Sequence, residues 1–433
     1  MTIKRLLCEQ NPCARTFVFY LYSGHLAEKE VGIPVYPIQL LTMNNQNKPI
    51  TLRRLTGVVL WLLTFSTAYY TACNFAPDRS PYGSDPGKGK PDSARTSTLE
   101  PIGGKPAWAP NIDDRMLAIL QRLDSMGGKP IEGLTPAEAR KQPTPTDAVM
   151  ALVRENNVPM PPSMVDTMGK EIPVKGGSIH ARVYTPKSGT APYPVIVYYR
   201  GGGWVIANLN VYDASCRGLA EQANAIVVSV DYRMGPEHKF PTAHEDAFAA
   251  YQWVLKNAAS MNGDPKRIAV AGESAGGNLA ANVSIMARDK KIMMPVHQVL
   301  IYPVVGDNLE APSVQQYAFA KPLNKAMLPW FFQHYFRTTD DGKTTMISFD
   351  TNLKGLPSTT IIAAELDPLT SGGEMLRDWL KKADVSVNYE VYKGVTHEFF
   401  GMAILLDDAK KAQEVAAKDL KKAFESGKNQ AGK

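Results

Sequence analysis

The chain has 433 residues, of which 44% are hydrophobic and 21% are charged, so it can build a sizeable globular core. Its formal net charge of +6 is concentrated at the front: residues 1–73 hold 7 Lys/Arg and 3 Asp/Glu, which leaves 41 basic against 39 acidic residues in the rest. This balance excludes the strongly basic surface of a nucleic-acid-binding protein.

Residues 43–73, which begin at a methionine, have the layout of a signal peptide. An uncharged run at 55–70 follows one lysine and two arginines; it is shorter than the ~20 residues of a membrane span but fits a signal-peptide core. The run leads into YTACN, which resembles a bacterial lipobox with Cys73 as the lipidated residue, although Tyr70 stands where leucine is usual. An ordinary signal peptide or an uncleaved anchor is the alternative. Residues 1–42 are then interpreted as an upstream extension that the working protein lacks.

A flexible tether is predicted at residues 74–112. Between 76 and 106, 15 of 31 residues are Pro, Gly or Ser, and no apolar periodicity is present. Together with the leader, this composition predicts an exported protein held to a membrane by a lipid or an N-terminal anchor. Its folded domain is then periplasmic or at the cell surface.

Residues 113–425 alternate apolar strands with amphipathic helices, and a short tail follows at 426–433. The predicted strands are IHARVYTP, PVIVYYR, AIVVSVDYR, RIAVAG, VHQVLIYPVV, STTIIAAELD and VNYEVYKG. Such an alternation predicts an α/β fold with a mostly parallel central sheet and helices on both faces, ending in a helix at about 407–425. Helical patterns at about 113–165 and an aromatic-rich insertion at 306–345 are predicted to form a helical cap.

The motif GESAG places Ser274 where an apolar strand runs into a helix of small residues. A serine in this GxSxG spacing sits on a sharp turn at the helix N-terminus, where the flanking glycines let neighbouring backbone pass. Ser274 is therefore the candidate nucleophile. The alternative is a glycine-rich turn with an idle serine.

A serine hydroxyl needs a base, and the base needs a carboxylate that orients it. His397 in KGVTHEFFG follows the last predicted strand, and Asp367 in AAELDPL ends the strand before it. Asp407 and Asp408 lie too far into the terminal helix to compete well. The order Ser, Asp, His along the chain is the order of α/β-hydrolases. The remaining histidines are interpreted as structural or surface residues: His25, His180, His238, His244, His297 and His334.

Three glycines follow a buried strand in VYYRGGGWV, residues 197–205. Acyl transfer through a serine creates a negatively charged oxygen, which needs hydrogen-bond donors already in place. Gly202 and Gly203, together with the amide of Ala275, are predicted to form this oxyanion hole. A phosphate-binding loop is a poor alternative, because neither GxGxxG nor GK[ST] is present. The second alternative is a mobile glycine turn without a catalytic role.

Residues 113–425 resemble the hormone-sensitive-lipase-like family of α/β-hydrolases, the bacterial carboxylesterases with an HGGG-type motif. The resemblance rests on LTPAEAR, YYRGGGW, VDYRMGPEHKFP, GESAGGN, DPL and THEF. It implies the α/β-hydrolase fold with a helical cap, a triad of Ser274, Asp367 and His397, and ester hydrolysis without a metal. It is compatible with a homodimer.

The sequence departs from the family pattern in several places. Arg200 replaces the family's histidine; the preferred interpretation is that it braces the glycine loop through several loop carbonyls, and the alternative is a contact to an acidic substrate. Glu273 stands beside the nucleophile where aspartate or threonine is usual, and it is one methylene longer than aspartate. Residues 370–372 replace the usually charged residues after DPL, which affects the geometry of the acid loop. In DYRMGPE, a structural ion-pair corner is expected from Asp231, Arg233 and Glu237.

These features predict a serine carboxylesterase that acts on short-to-medium acyl esters as small-molecule substrates. The same triad would serve a deacetylase of acetylated sugars or xenobiotics, and a non-catalytic hydrolase-like binding protein is the remaining alternative. No CxxC, HExxH or paired-histidine spacing appears in the sequence. Neither a metal site nor a cofactor is therefore expected.

Overall fold

The computed structural model describes residues 99–348 and 350–430. The predicted extension, signal peptide, lipobox at Cys73 and most of the tether lie outside these residues. Its strands are β1 (Val165–Val174), β2 (Gly177–Pro186), β3 (Tyr193–Tyr199), β4 (Ile226–Val230), β5 (Gly263–Glu273), β6 (Gln298–Ile301), β7 (Thr359–Leu366) and β8 (Val387–Thr396).

Helices separate and flank these strands. They are α1 (Asp114–Ser125), α2 (Pro136–Ala139), α3 (Pro145–Glu155), α4 (Asp213–Ala223), α5 (Thr242–Asn257), α6 (Ala275–Asp289), α7 (Pro312–Gln316), α8 (Met327–Tyr335), α9 (Thr339–Thr345), α10 (Thr370–Lys382) and α11 (Asp407–Gln430). The last helix continues past its predicted end at Glu425. Across the described residues, no helix has the length and apolarity of a membrane span.

The eight strands form one sheet in the order β1-β2-β4-β3-β5-β6-β7-β8. Strands β3 to β8 are paired in parallel, whereas β1 and β2 pair antiparallel with each other and β2 with β4. The predicted mostly parallel α/β architecture is therefore confirmed. Helices form the crossovers of this sheet, because two neighbouring parallel strands need a connection that crosses a face of the sheet.

Both faces of the sheet are buried, and β3 shows why its sequence is apolar throughout. Val195, Val197 and Tyr199 point into the core layer that α5 and α6 cover. Ile196 and Tyr198 point into the opposite layer, which α4 and α11 cover. Because successive side chains of a strand alternate between faces, a strand covered on both sides needs an unbroken apolar run.

Strand β1 was not anticipated from the sequence. It reads VDTMGKEIPV, without an apolar run, and several of its side chains are exposed, among them Asp166 and Glu171. It pairs with β2 along its whole length at the edge of the sheet. An edge strand tolerates charges and Pro173, so its periodicity is weak.

The parallel strands bring the predicted site residues to one edge of the sheet. The glycine loop follows β3, Ser274 follows β5, Asp367 follows β7 and His397 follows β8. Since the carboxyl ends of parallel strands lie on the same side, these loops meet there, which is where open α/β sheets bind ligands.

Candidate active site

Ser274 occupies a strained turn between β5 and α6. Its φ of 56° and ψ of −119° lie outside the regions that non-glycine residues usually adopt, at a cost of about 1–3 kcal/mol. A side chain on Gly276 would overlap the carbonyl oxygen of Tyr199, so α6 can approach β3 this closely only with glycine there. The turn therefore presents the serine at the N-terminus of α6.

His397 and Asp367 are hydrogen-bonded to each other. The Nδ1 atom of His397 lies 2.7 Å from Oδ2 of Asp367, both side chains are almost fully buried, and Oδ1 of Asp367 accepts from the amide of Leu369 at 2.9 Å. An imidazole that donates from Nδ1 keeps Nε2 as an acceptor. Burial opposes protonation of His397, but the charge and hydrogen bond of Asp367 outweigh it, with smaller contributions from nearby glutamates, so the pKa of His397 is raised.

Other candidates for the base and the acid have partners elsewhere. His244 bonds a tyrosine hydroxyl and an asparagine, and His297 bonds two hydroxyls. Burial lowers the pKa of each of these two histidines to about 4. His180 pairs with a glutamate on β1, and Asp408 pairs with Lys411 on α11. His25 lies outside the described residues.

The glycine loop has a conformation that only residues without side chains accept. Gly202 has a φ of 93°, and a side chain there would overlap the carbonyl oxygen of Ile206. The carbonyl of Gly202 accepts from the amides of Val205 and Ile206 at 3.0 and 2.9 Å, which closes the turn. Gly203 has a positive φ too. Ala275, the third predicted donor, is the first residue of α6.

Arg200 lies fully buried behind this loop. Its Nη1 donates to the carbonyl of Ile206 at 3.1 Å and to that of Gly201 at 3.4 Å, and its Nη2 donates to the carbonyl of Tyr232 at 3.3 Å. The guanidinium also pairs with Asp231 at 3.1 Å and stacks 4.4 Å from the centre of the Tyr232 ring. Each nitrogen of the guanidinium therefore has a partner within the protein, as a loop brace requires.

Arg140, which sequence reasoning did not single out, holds the loop from the side of the predicted cap. It follows α2; its Nε donates to the carbonyl of Val205 at 2.8 Å, and its Nη2 to that of Gly235 at 2.6 Å. Both terminal nitrogens also bond Glu237, at 2.8 and 2.7 Å. The sequence signal for this residue is the arginine that ends the motif LTPAEAR.

The charged residues of DYRMGPE form ion pairs, as expected, but with partners elsewhere in the chain. Asp231 pairs with Arg200, Glu237 with Arg140, and Arg233 with an aspartate of α5. The segment therefore connects neighbouring elements.

Hydroxyl groups hold the acid loop where charges are usual in the family. The hydroxyl of Thr370 donates to the carbonyls of Ala364 and Asp367 at 2.6 and 2.9 Å. Ser371 and Ser313 exchange amide-to-hydroxyl bonds at 2.9 and 3.0 Å. The loop that carries Asp367 is thus tied to its own strand and to α7 by neutral groups.

A buried glutamate lies next to the nucleophile, and a half-buried glutamate lies next to the histidine. Glu273 accepts from the hydroxyls of Tyr198 and Tyr302, and burial, together with repulsion from Glu398, raises its pKa to about 7. Glu398 accepts from the hydroxyl of Tyr212 at 2.7 Å, and burial raises its pKa as well. Glu273 is a departure from the family pattern, whereas no feature of the sequence assigns a role to Glu398.

A cavity of about 390 Å³ lies between the proposed nucleophile, the histidine and the glycine loop. Ser274, His397, Gly202, Gly203 and Glu398 contribute to its wall. Both predicted cap segments also contribute: from the first come Leu123, Ile131 and Arg140, among others, and from the second Leu323, Met327, Leu328, Phe331 and Phe332. Within residues 99–348 and 350–430, no cluster of three or more His, Cys, Asp or Glu side chains could hold a metal ion.

Comparisons with known proteins find esterases among the relatives of this chain. A model of the α/β hydrolase fold matches residues 196–401. The chain is 39% identical over 251 residues to Carboxylesterase NlhH of Mycobacterium tuberculosis, covering 57% of this chain and 79% of that protein. It is 31% identical over 309 residues to the ethyl acetate hydrolase of Pseudomonas putida, covering 69% and 95%. A solved esterase from the archaeon Pyrobaculum calidifontis superposes with a TM-score of 0.66 at 36% identity, covering 72% of this chain and 98% of that one.

Proposed function

Since the chain belongs to the α/β hydrolase family that includes these carboxylesterases, we propose that it hydrolyses carboxylic esters through an acyl-enzyme on Ser274. The chain is a serine carboxylesterase. The observation that supports these residues most directly is the His397–Asp367 hydrogen bond at the wall of the cavity that Ser274 also lines.

In the first half of the reaction, Nε2 of His397 takes the proton of Ser274 as its oxygen attacks the ester carbonyl. The amides of Gly202, Gly203 and Ala275 stabilise the negative oxygen of the tetrahedral intermediate. The intermediate collapses, the C–O bond to the alcohol breaks, and His397 returns the proton to the leaving alcohol. In the second half, water gives a proton to His397 while its oxygen attacks the acyl carbonyl. The C–O bond to Ser274 then breaks, His397 returns the proton to the serine oxygen, and the acid leaves.

The aromatic and aliphatic wall favours short-to-medium acyl chains. Phe331, Phe332 and Leu328 line the cavity from the insertion, and its volume of about 390 Å³ limits the length that it encloses. Along a p-nitrophenyl series from acetate to dodecanoate, we expect kcat/KM to peak at or below octanoate. It should then stop rising towards dodecanoate, because a methylene left in water gains none of the ~0.8 kcal/mol that burial supplies.

Initial rates along this series test the proposal, with Ser274→Ala as the blank. Turnover that rises steadily to dodecanoate would contradict the size argument but leave the esterase assignment intact. Turnover of acetates alone would favour the deacetylase alternative. A homodimer remains a prediction from the resemblance, and light scattering on the purified protein measures it.

We further propose that the protein is exported and anchored to a membrane through a lipid on Cys73. The proposal is supported by the leader sequence, in which basic residues are followed by an apolar run and then by small residues before Cys73. The leader lies outside the described residues. Expressed from Met43 in a Gram-negative host, the protein should incorporate labelled fatty acid and sediment with membranes. Cys73→Ser should lose the label, while Cys216→Ala, which changes a buried cysteine, should keep it. Wild-type protein that is unlabelled and fully released would refute the lipid anchor.

A further inference from the structure

Glu398 places a second carboxylate beside the imidazole of His397. Its Oε1 lies 3.9 Å from Nε2, whereas Oδ2 of Asp367 lies 2.7 Å from Nδ1. Each ring nitrogen therefore has a negative group near it. The nitrogen near Glu398 is the one that takes the proton of Ser274 in the mechanism above, and 3.9 Å is too long for a hydrogen bond that would block it.

The carboxylate of Glu398 is held in this place. The hydroxyl of Tyr212 donates to the same Oε1 at 2.7 Å, and the side chain is only 17% exposed at the cavity wall. The residue has a φ of 69°, in the left-handed region that non-glycine residues adopt at a cost of about 1 kcal/mol or more. A strained position that the surroundings maintain points towards a role in the site.

The groups that face this carboxylate come from several elements. Tyr212, just before α4, bonds Glu398, and Asp367, after β7, bonds the His397 ring. The ring of Tyr302, after β6, lies with its centre 4.5 Å from that of His397. Glu273 at the end of β5 adds repulsion, and it shares a small cavity with Glu398. Among these charged groups, Asp367 and Glu398 are nearest to the ring nitrogens.

We propose that Glu398 is a positioning residue of the reaction: its charge stabilises the imidazolium that forms at His397 in both half-reactions. This inference rests on the proposed function, since it assigns Nε2 of His397 as the proton acceptor. Two negative charges around one ring make His397 a stronger base and hold its protonated form until the leaving alcohol or Ser274 takes the proton back.

The charge of Glu398 should raise the pKa of His397. A negative neighbour favours the imidazolium, so its removal makes His397 lose its proton at lower pH. Since the acidic limb of kcat/KM reports the deprotonation of the free enzyme's base, Glu398→Gln should move that limb to lower pH by about half a unit to one unit. Glutamine can still accept from Tyr212, so the fall in kcat/KM on the plateau should stay within about tenfold.

The experiment measures kcat/KM of a neutral p-nitrophenyl ester from about pH 5 to pH 9 for the wild type and three variants. Glu398→Gln removes the charge, and Glu398→Gly removes it while relieving the left-handed backbone, so this second variant guards against a failure to fold. Glu390→Gln is the matched control, because it makes the same change at an exposed position of β8. We expect both Glu398 variants to shift the limb and Glu390→Gln to leave it in place.

A uniform loss of kcat/KM in the Glu398 variants, with the acidic limb unmoved, would overturn the inference and leave the proposed function standing. An acidic limb that moves to higher pH would overturn it as well. A wild-type protein that turns over no ester would overturn the proposed function, and the inference with it.

Discussion

We expect Ser274→Ala to lower kcat by about 10⁴-fold or more while the protein still folds. The expected loss is this large because the triad acts as a unit, and removal of the nucleophile leaves only binding and the oxyanion hole. Alanine fits the space of Ser274, and the turn retains its glycine neighbours. Hydrolysis of a short p-nitrophenyl ester measures the loss, and a fluorescent organophosphonate measures covalent capture of the serine.

The matched control is Ser284→Ala on the same helix. Ser284 is buried, and its hydroxyl donates to the carbonyl of Ala280 at 3.2 Å, so its removal tests the same chemical change away from the cavity. It should keep turnover and labelling near the wild-type level. Labelling of Ser274→Ala at the wild-type rate would remove Ser274 from the mechanism.

Arg200→Ala should lower kcat by about ten- to a hundredfold with little change in KM. The guanidinium supports the carbonyls of Gly201 and Ile206 from behind, so its loss lets the glycine amides drift from the developing oxyanion. Loss of one oxyanion donor costs about 10²–10³ in rate, and an indirect loss should cost less. Interactions confined to the transition state appear in kcat and not in KM, and the factor should be similar for neutral and acidic esters.

Two variants sharpen the Arg200 test. Arg200→His should recover much of the activity, because imidazole also offers donors to the loop. Arg377→Ala removes an arginine that pairs with its neighbour Asp378 on α10 and should leave kcat unchanged. Thermal unfolding of each variant separates a loss of stability from a loss of rate. If Arg200→Ala instead raised KM for acidic esters and spared neutral ones, Arg200 would be a substrate contact.

The parts of the fold that the sequence predicted well are those where local pattern and tertiary role coincide. β3 and β5 are buried on both faces, and their apolar runs predict that burial directly. The turn at Ser274 needs glycines at fixed spacing, which leaves a mark in the sequence. β1 has no such pattern in its sequence, because many side chains of this edge strand are exposed. Its strand conformation depends instead on its pairing with β2.

Contacts between distant segments were the least predictable part of the candidate site. Arg140 reaches Val205 across 65 positions of sequence, and Tyr212 reaches Glu398 across 186. No spacing rule connects such residues, since the fold alone brings them together. The same reason explains why the partners of Asp231, Arg233 and Glu237 could not be named in advance.

The two arginines that contact the glycine loop limit which segments of the protein can be exchanged with those of a relative. Arg200 belongs to the α/β core, but Arg140 belongs to the segment before β1, and both support carbonyls of the same short loop. A chimera that takes its first helices from a relative must therefore bring a donor for Val205 and a cation for Glu237, or the loop proposed as the oxyanion hole will lose one of its two supports. Exchange of the helices to alter substrate range is thus inseparable from exchange of part of the catalytic apparatus.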